Sequence, residues 1–149
     1  MSELKKRLST IIESPLHETE EKLQKICHLL DQEISYFNWT GFYFRNGEKE
    51  ELLLGPYVGA ETDHTVIPFG KGICGQVAVS GETFLVPDVN EQDNYLSCSV
   101  DTKAEIVVPI FKNGENIGQI DIDSHRLNPF TDEDREMLDW LSVEVVKII

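Results

Sequence analysis

Between residues 37 and 130 the chain is a succession of short runs rich in β-branched and aromatic residues, punctuated by turn formers: FNWTGFYF, ELLLGPYV, HTVIPF, QVAVSG, TFLVPDV, AEIVVPIF and NIGQIDIDS. Runs of this length and content make strands. QVAVSG alone has a second reading, because behind the glycines of GKGICG the residues from 73 to 80 also suit a short helix. The flanks carry a different period. In LHETEEKLQKICHLLDQEISY, Leu23, Ile26, Cys27, Leu30 and Ile34 recur at spacings of three and four, one apolar stripe along a helix. The tail PFTDEDREMLDWLSVEVVKII has Thr131 as N-cap, acids in the first turn, and Met137, Leu138, Leu141 and Val145 on the buried side. No repeat, low-complexity stretch or linker interrupts this order. It predicts one α+β domain over 1–149: a helical segment 1–36, a sheet-containing core 37–130 with antiparallel strands, and a closing helix 131–149.

Composition sets the surroundings. A chain of 149 residues that is 40% hydrophobic buries one sizeable core. A net charge of −14, with no cluster of basic residues, excludes a nucleic-acid partner. Apolar runs such as IVVPIF are too short to span a bilayer, and MSELKKRLSTIIE lacks the features of a signal peptide. A cytoplasmic protein that does not enter membranes is expected. Its three cysteines are an odd count without sign of export, so reduced thiols are expected and not a disulfide framework.

Two of those thiols sit among small residues. Cys98 lies in NYLSCSVDTK, a polar loop whose backbone N–H groups can turn toward one point and favour a thiolate. Cys74, between Gly72 and Gly75, opens the short helix of the second reading. Cys27 is a small apolar side chain on the buried stripe. Near the Cys98 loop, Glu105 is a lone charge opening an apolar strand, and Asp121 and Asp123 alternate with Ile120 and Ile122 on one strand face. Alternation of this kind usually marks the wet side of a half-exposed strand. The Asn113–Gly114 pair predicts a hairpin, so registers can be counted. A two-residue loop sets Glu105 opposite Ile122, on the other face from the aspartates; a three-residue loop with a glycine bulge pairs Glu105 with Asp121 or Asp123. In the second register three carboxylates share a face and raise one another's pKa, so that one can act as an acid.

The ordered set NWTGFY, LGPYVG, IPFGKGICG, PDV, EIVVP, IDIDS and FTDED, from about Asn38 to Trp140, resembles the GAF-domain free methionine-(R)-sulfoxide reductases. The resemblance implies a GAF-like antiparallel sheet of about six strands, flanked by N- and C-terminal helices, and a homodimer. It implies that Cys98 attacks the sulfoxide sulfur and becomes a sulfenic acid, that Glu105, Asp121 and Asp123 bind the substrate ammonium and sulfoxide oxygen with one supplying a proton, and that Trp39 and Tyr43 box the methyl group. Backbone N–H groups from Tyr95 through Leu96 to Ser97 would take the substrate carboxylate.

Two departures bear on activity. Where the family usually carries a resolving cysteine, ten residues before Cys74, this chain has His64; and Tyr95, Leu96 and Ser99 differ from the family's usual loop. The sulfenic acid at Cys98 would then be regenerated by Cys74, if it can reach, or by thioredoxin or a small thiol. Two function classes follow: the thiol-dependent reductase, and a non-catalytic GAF sensor holding a small amino-acid-like ligand. No cofactor is expected, and no metal, since His64, Cys74 and Cys98 lack the short spacings of a strong metal motif.

Overall fold

A computed structural model describes residues 1–96 and 100–149. The N-terminal helical segment divides in two. Helix α1 (Ser2–Glu13) ends at Ser14, whose extended backbone leads into Pro15, a residue that favours an extended neighbour and cannot extend a helix. Helix α2 (Thr19–Glu33) buries the expected Leu23, Ile26, Cys27 and Leu30, and Leu29 beside them. The strands are β1 (Trp39–Arg45), β2 (Glu51–Val58), β3 (Val66–Pro68), β4 (Phe84–Val86), β5 (Ala104–Lys112) and β6 (Glu115–Ser124). They form one antiparallel sheet in the order β3-β2-β1-β6-β5-β4.

QVAVSG belongs to helix α3 (Gly72–Ser80), which leaves six strands and corrects the strand reading of that run. Glycines bound the helix on both sides. Gly70 and Gly72 have φ of 86° and 64° at its start, and Gly81 has φ of 69° at its end, conformations that cost an L-residue about 1 kcal/mol or more. Helix α4 (Asp132–Glu144) begins at the expected Thr131 cap, where a full capping box pairs Thr131 with Asp134, and it runs on into a 3-10 turn at Val145–Ile148.

Helices lie on both faces of the sheet. On one, Leu8 of α1, Ile26 and Leu30 of α2 and Leu138 of α4 pack against Phe42, Ile106, Ile120 and Ile122. On the other, Ile73, Cys74 and Val77 of α3 pack against Trp39, Tyr43, Leu52, Val86 and Val107. The central strands are therefore dry on both sides, and the alternation in β6 does not mark a wet face. Among the described residues no helix is long and apolar enough to cross a membrane.

The β5–β6 hairpin combines parts of both registers considered above. Asn113 and Gly114, with φ of 53° and 77°, make a two-residue turn that pairs Lys112 with Glu115. One pair further, Phe111↔Asn116 is followed by Ile110↔Gly118, so Ile117 is an extra residue on β6. From there Ile106 pairs with Ile122 and Glu105 with Asp123. The turn length alone would have separated Glu105 from the aspartates; the bulge restores them to one face. Gly118 follows the bulge where β6 crosses β1, and a Cβ there would stand 2.5 Å from the Tyr43 carbonyl oxygen and 2.7 Å from Phe44 Cδ1. Gly118→Ala should accordingly cost about 1–3 kcal/mol, read as a lower urea midpoint at an unchanged m-value.

Candidate active site

Three adjacent strands supply one polar row to the face under α3. Across β1 and β6 the pairs are Trp39↔Asp123, Gly41↔Asp121 and Tyr43↔Gln119; across β6 and β5 they are Asp123↔Glu105 and Asp121↔Val107. Glu105, Asp121, Asp123 and Gln119 are all at most 2% exposed. The first turn of α3 closes over them. The Cys74 thiol donates to Glu105 Oε2 at 3.8 Å, and Gln119 Nε2 donates to the Cys74 carbonyl oxygen at 3.1 Å. Sulfur and one oxygen each of Glu105 and Asp121 lie within 4.8 Å of one another. This trio is also a donor set that a zinc-like cation accepts.

Burial and like charge govern the row. Loss of hydration pushes the Glu105 carboxyl well above its ordinary value, and the charges of Asp121 and Asp123 push it further. Burial raises Asp121 as well, while hydrogen bonds from Glu105 and the Cys74 thiol draw it partly back. The consistent state has the proton on Glu105, which can then donate toward its neighbours. Cys27 is chemically remote from this. It is fully buried in the opposite layer, its thiol donates to the Pro56 carbonyl oxygen at 3.6 Å, and burial holds it far above the ordinary thiol range.

Trp39 is wedged over the row by small residues. Its ring atoms lie 2.5 and 2.6 Å from where a Gly41 Cβ would stand, and Gly59 leaves room on the other side. The indole stacks on Tyr57 at 5.3 Å and Tyr43 at 6.2 Å and donates to the Ala60 carbonyl oxygen at 3.0 Å. The Tyr43 hydroxyl donates to the His64 carbonyl oxygen at 2.9 Å. A small cavity opens beside these groups, lined by His64, Ile67, Lys71, Ile73, Cys74, Leu96 and Glu105, with Gly72 at its edge. Its free volume is about 10 Å³, room for about one water.

Of the residues singled out from the sequence, Glu105, Cys74 and Leu96 line the cavity, and Asp121 and Asp123 adjoin Glu105 on the same sheet face. Trp39 and Tyr43 belong to the same apolar layer as Cys74 but are not among the cavity's lining. Tyr95 is half-buried against that layer. Cys98 and Ser97 lie outside the described residues. His64 lines the cavity and is half-buried. The sequence reading passed over Gln119, although QIDID places it two residues before Asp121 on the same face, and Asn94, which nothing in its local pattern marks.

An antiparallel sheet covered by helices on both faces, with a buried acidic row beneath a short glycine-bounded helix, defines an α+β small-molecule-binding domain. The chain belongs to the GAF-domain family, whose model matches residues 17–148. It is 44% identical over 107 residues to the free methionine-R-sulfoxide reductase of Saccharomyces cerevisiae, a match that covers 70% of this chain and 59% of the yeast protein. Against the free methionine-R-sulfoxide reductase of Escherichia coli it is 34% identical over 121 residues, 81% of this chain and 72% of that protein. The free methionine-R-sulfoxide reductase of Neisseria meningitidis, solved in complex with its substrate, superposes with a TM-score of 0.88 at 33% identity, covering 97% of this chain and 84% of that one.

The raised Glu105 pKa has a consequence for stability. A carboxyl whose pKa is higher in the folded state is bound to its proton more tightly there, so its contribution is complete below the unfolded value near 4.5 and is lost as pH rises toward the folded value. Glu105→Gln removes that dependence. Its stability relative to the parent should rise between pH 5 and pH 8, measured as the difference in urea midpoints; a difference independent of pH would show that Glu105 is ionised throughout.

Proposed function

We propose that this protein reduces free methionine-(R)-sulfoxide to methionine, with Cys98 as nucleophile. The observation that carries the reading is the buried row of Glu105, Asp121 and Asp123 beside the Cys74 thiol, in a chain 44% and 34% identical to two reductases of that name. An aspartate pair in a dry site suits the substrate ammonium, and a carboxyl whose pKa burial and like charge hold well above its ordinary value suits the sulfoxide oxygen. Trp39 and Tyr43 offer an aromatic wall for the methyl group, and the backbone N–H groups of Tyr95, Leu96 and Ser97 offer donors for the carboxylate.

The step balances as a two-electron exchange. The Cys98 thiolate attacks the sulfoxide sulfur while Glu105 protonates the oxygen; the hydroxyl then passes to the Cys98 sulfur as the transient S–S bond and the substrate S–O bond break, so methionine leaves and Cys98 is left as a sulfenic acid. A thiol then attacks that sulfur, releasing water and forming a disulfide, which a second thiol reduces. With His64 in place of the family's usual resolving cysteine, the attacking thiol is Cys74 or an external thiol such as thioredoxin or a small dithiol. Cys74 is held by its bonds to Glu105 and Gln119 and is 5% exposed, which favours an external small thiol. The protein acts as a cytoplasmic homodimer in this reading. The same departures at His64 and in the loop support a second reading, a sensor that binds the amino acid without turnover.

The test is to incubate the protein with free methionine-(R)-sulfoxide, the (S) epimer and a peptide-bound sulfoxide, with dithiothreitol or thioredoxin, and measure methionine. Turnover of the free (R) epimer alone, faster with dithiothreitol, is expected; tight binding without methionine release would favour the sensor. Cys98→Ser should abolish turnover and Cys27→Ser should leave it nearly unchanged. His64→Cys should raise the thioredoxin-dependent rate selectively.

A further inference from the structure

Helix α3 has no cap of its own. Lys71 stands at its N-cap and makes no side-chain cap hydrogen bond, yet the Gly72 N–H is buried and needs an acceptor. The acceptor comes from a segment distant in sequence: Asn94 Oδ1 receives the Gly72 N–H at 2.8 Å. The same amide donates through Nδ2 to the Gly70 carbonyl oxygen at 2.7 Å. Gln76 Nε2, one turn along α3, bridges the Gly72 carbonyl oxygen at 2.9 Å and the Asn94 carbonyl oxygen at 3.0 Å. Three hydrogen bonds thus tie Asn94 to both sides of the glycine turn and to the first turn of α3, and the fourth holds Gln76 in place to make one of them.

We infer that Asn94 is a positioning residue for the acid–thiol site: by capping α3 from outside, it seats Leu96 as the wall of the cavity over Cys74 and Glu105. Leu96 follows two residues later and packs against Gly72, its Cβ and Cγ each 3.0 Å from where a Cβ on Gly72 would stand, so the loop rests directly on the helix it caps. Both Leu96 and Cys74 line the small cavity. The amide has two jobs that one carboxylate or one methyl cannot both perform, since it accepts from Gly72 and donates to Gly70. This inference rests on the proposed reductase only where activity is read.

The decisive measurement does not need turnover. In a Cys98→Ser background the thiols are Cys27, fully buried on the core side of α2, and Cys74, 5% exposed beneath Leu96. Iodoacetamide labelling of Cys74, followed by mass spectrometry of the folded protein, should accelerate at least about tenfold when Asn94→Ala is added, with the Cys27 rate unchanged. Asn94→Asp keeps the acceptor and loses the donor, and should fall between the two. An unchanged Cys74 rate in Asn94→Ala overturns the inference, and so does equal acceleration of Cys27 and Cys74 in Asn94→Asp, which would show general loosening. If the wild-type chain turns over methionine-(R)-sulfoxide, Asn94→Ala should lower kcat by about 10- to 100-fold, the cost of a misplaced reacting group, with a smaller change in KM and partial rescue in Asn94→Asp.

Discussion

One extra residue in β6 decides what this sheet can hold. Side chains alternate faces along a strand, so a shift of a single residue exchanges the entire set. With the two-residue turn at Asn113–Gly114 and no bulge, Glu105 would face Ile122 and enter the apolar layer under α1, α2 and α4. The bulge at Ile117 shifts every later pair by one and sets Glu105 against Asp123. The apolar Ile106, Ile120 and Ile122 are sorted into the core by the same shift that gathers the acids on the other side. Apolar burial on one face and acid clustering on the other are therefore satisfied by the same register.

Burying three carboxylates together is unfavourable, since an ionised group costs several kcal/mol to bring into the interior without a compensating charge. Protonation relieves part of this: with the proton on Glu105 the row carries one charge fewer and gains a donor. The rest is borne by the larger apolar layer on the opposite face, which contains most of the buried side chains of α1, α2 and α4. The proposed reading brings a cationic, hydrogen-bonding guest, the substrate ammonium, to this row. Such a guest would neutralise charges that the fold alone leaves in mutual repulsion.

Glycines do the steric work around the row. Gly41 lets the Trp39 ring lie flat across β1, Gly118 lets β6 pass Tyr43, and Gly72 lets the loop bearing Leu96 descend onto α3. At each position a methyl group would meet another atom at 2.5 to 3.0 Å. Close approach explains why Gly41 and Gly118 lack side chains, and at Gly72 the positive φ of 64° adds to it.

The two periods, the Thr131 cap, the Asn113–Gly114 turn and the stripe holding Cys27 were all legible in the sequence, because each depends on neighbours within a few residues. The same is true of the acids as candidates, for a lone glutamate and two alternating aspartates stand out against apolar strands. Whether those acids faced water or the interior was not legible, since it depends on α3 covering the second face of the sheet. Nor was the bulge, which arises where β6 must fit β5 and β1 at once. The helix at QVAVSG was ambiguous for the same reason: its residues suit a strand, and only its glycine ends and the face it covers select the helix. Asn94 was invisible because its partners, Gly70, Gly72 and Gln76, are some twenty residues away. Local hydrogen bonding and periodicity determine the elements; the pairing of distant segments determines which polar groups lose their water, and with it the chemistry they can perform.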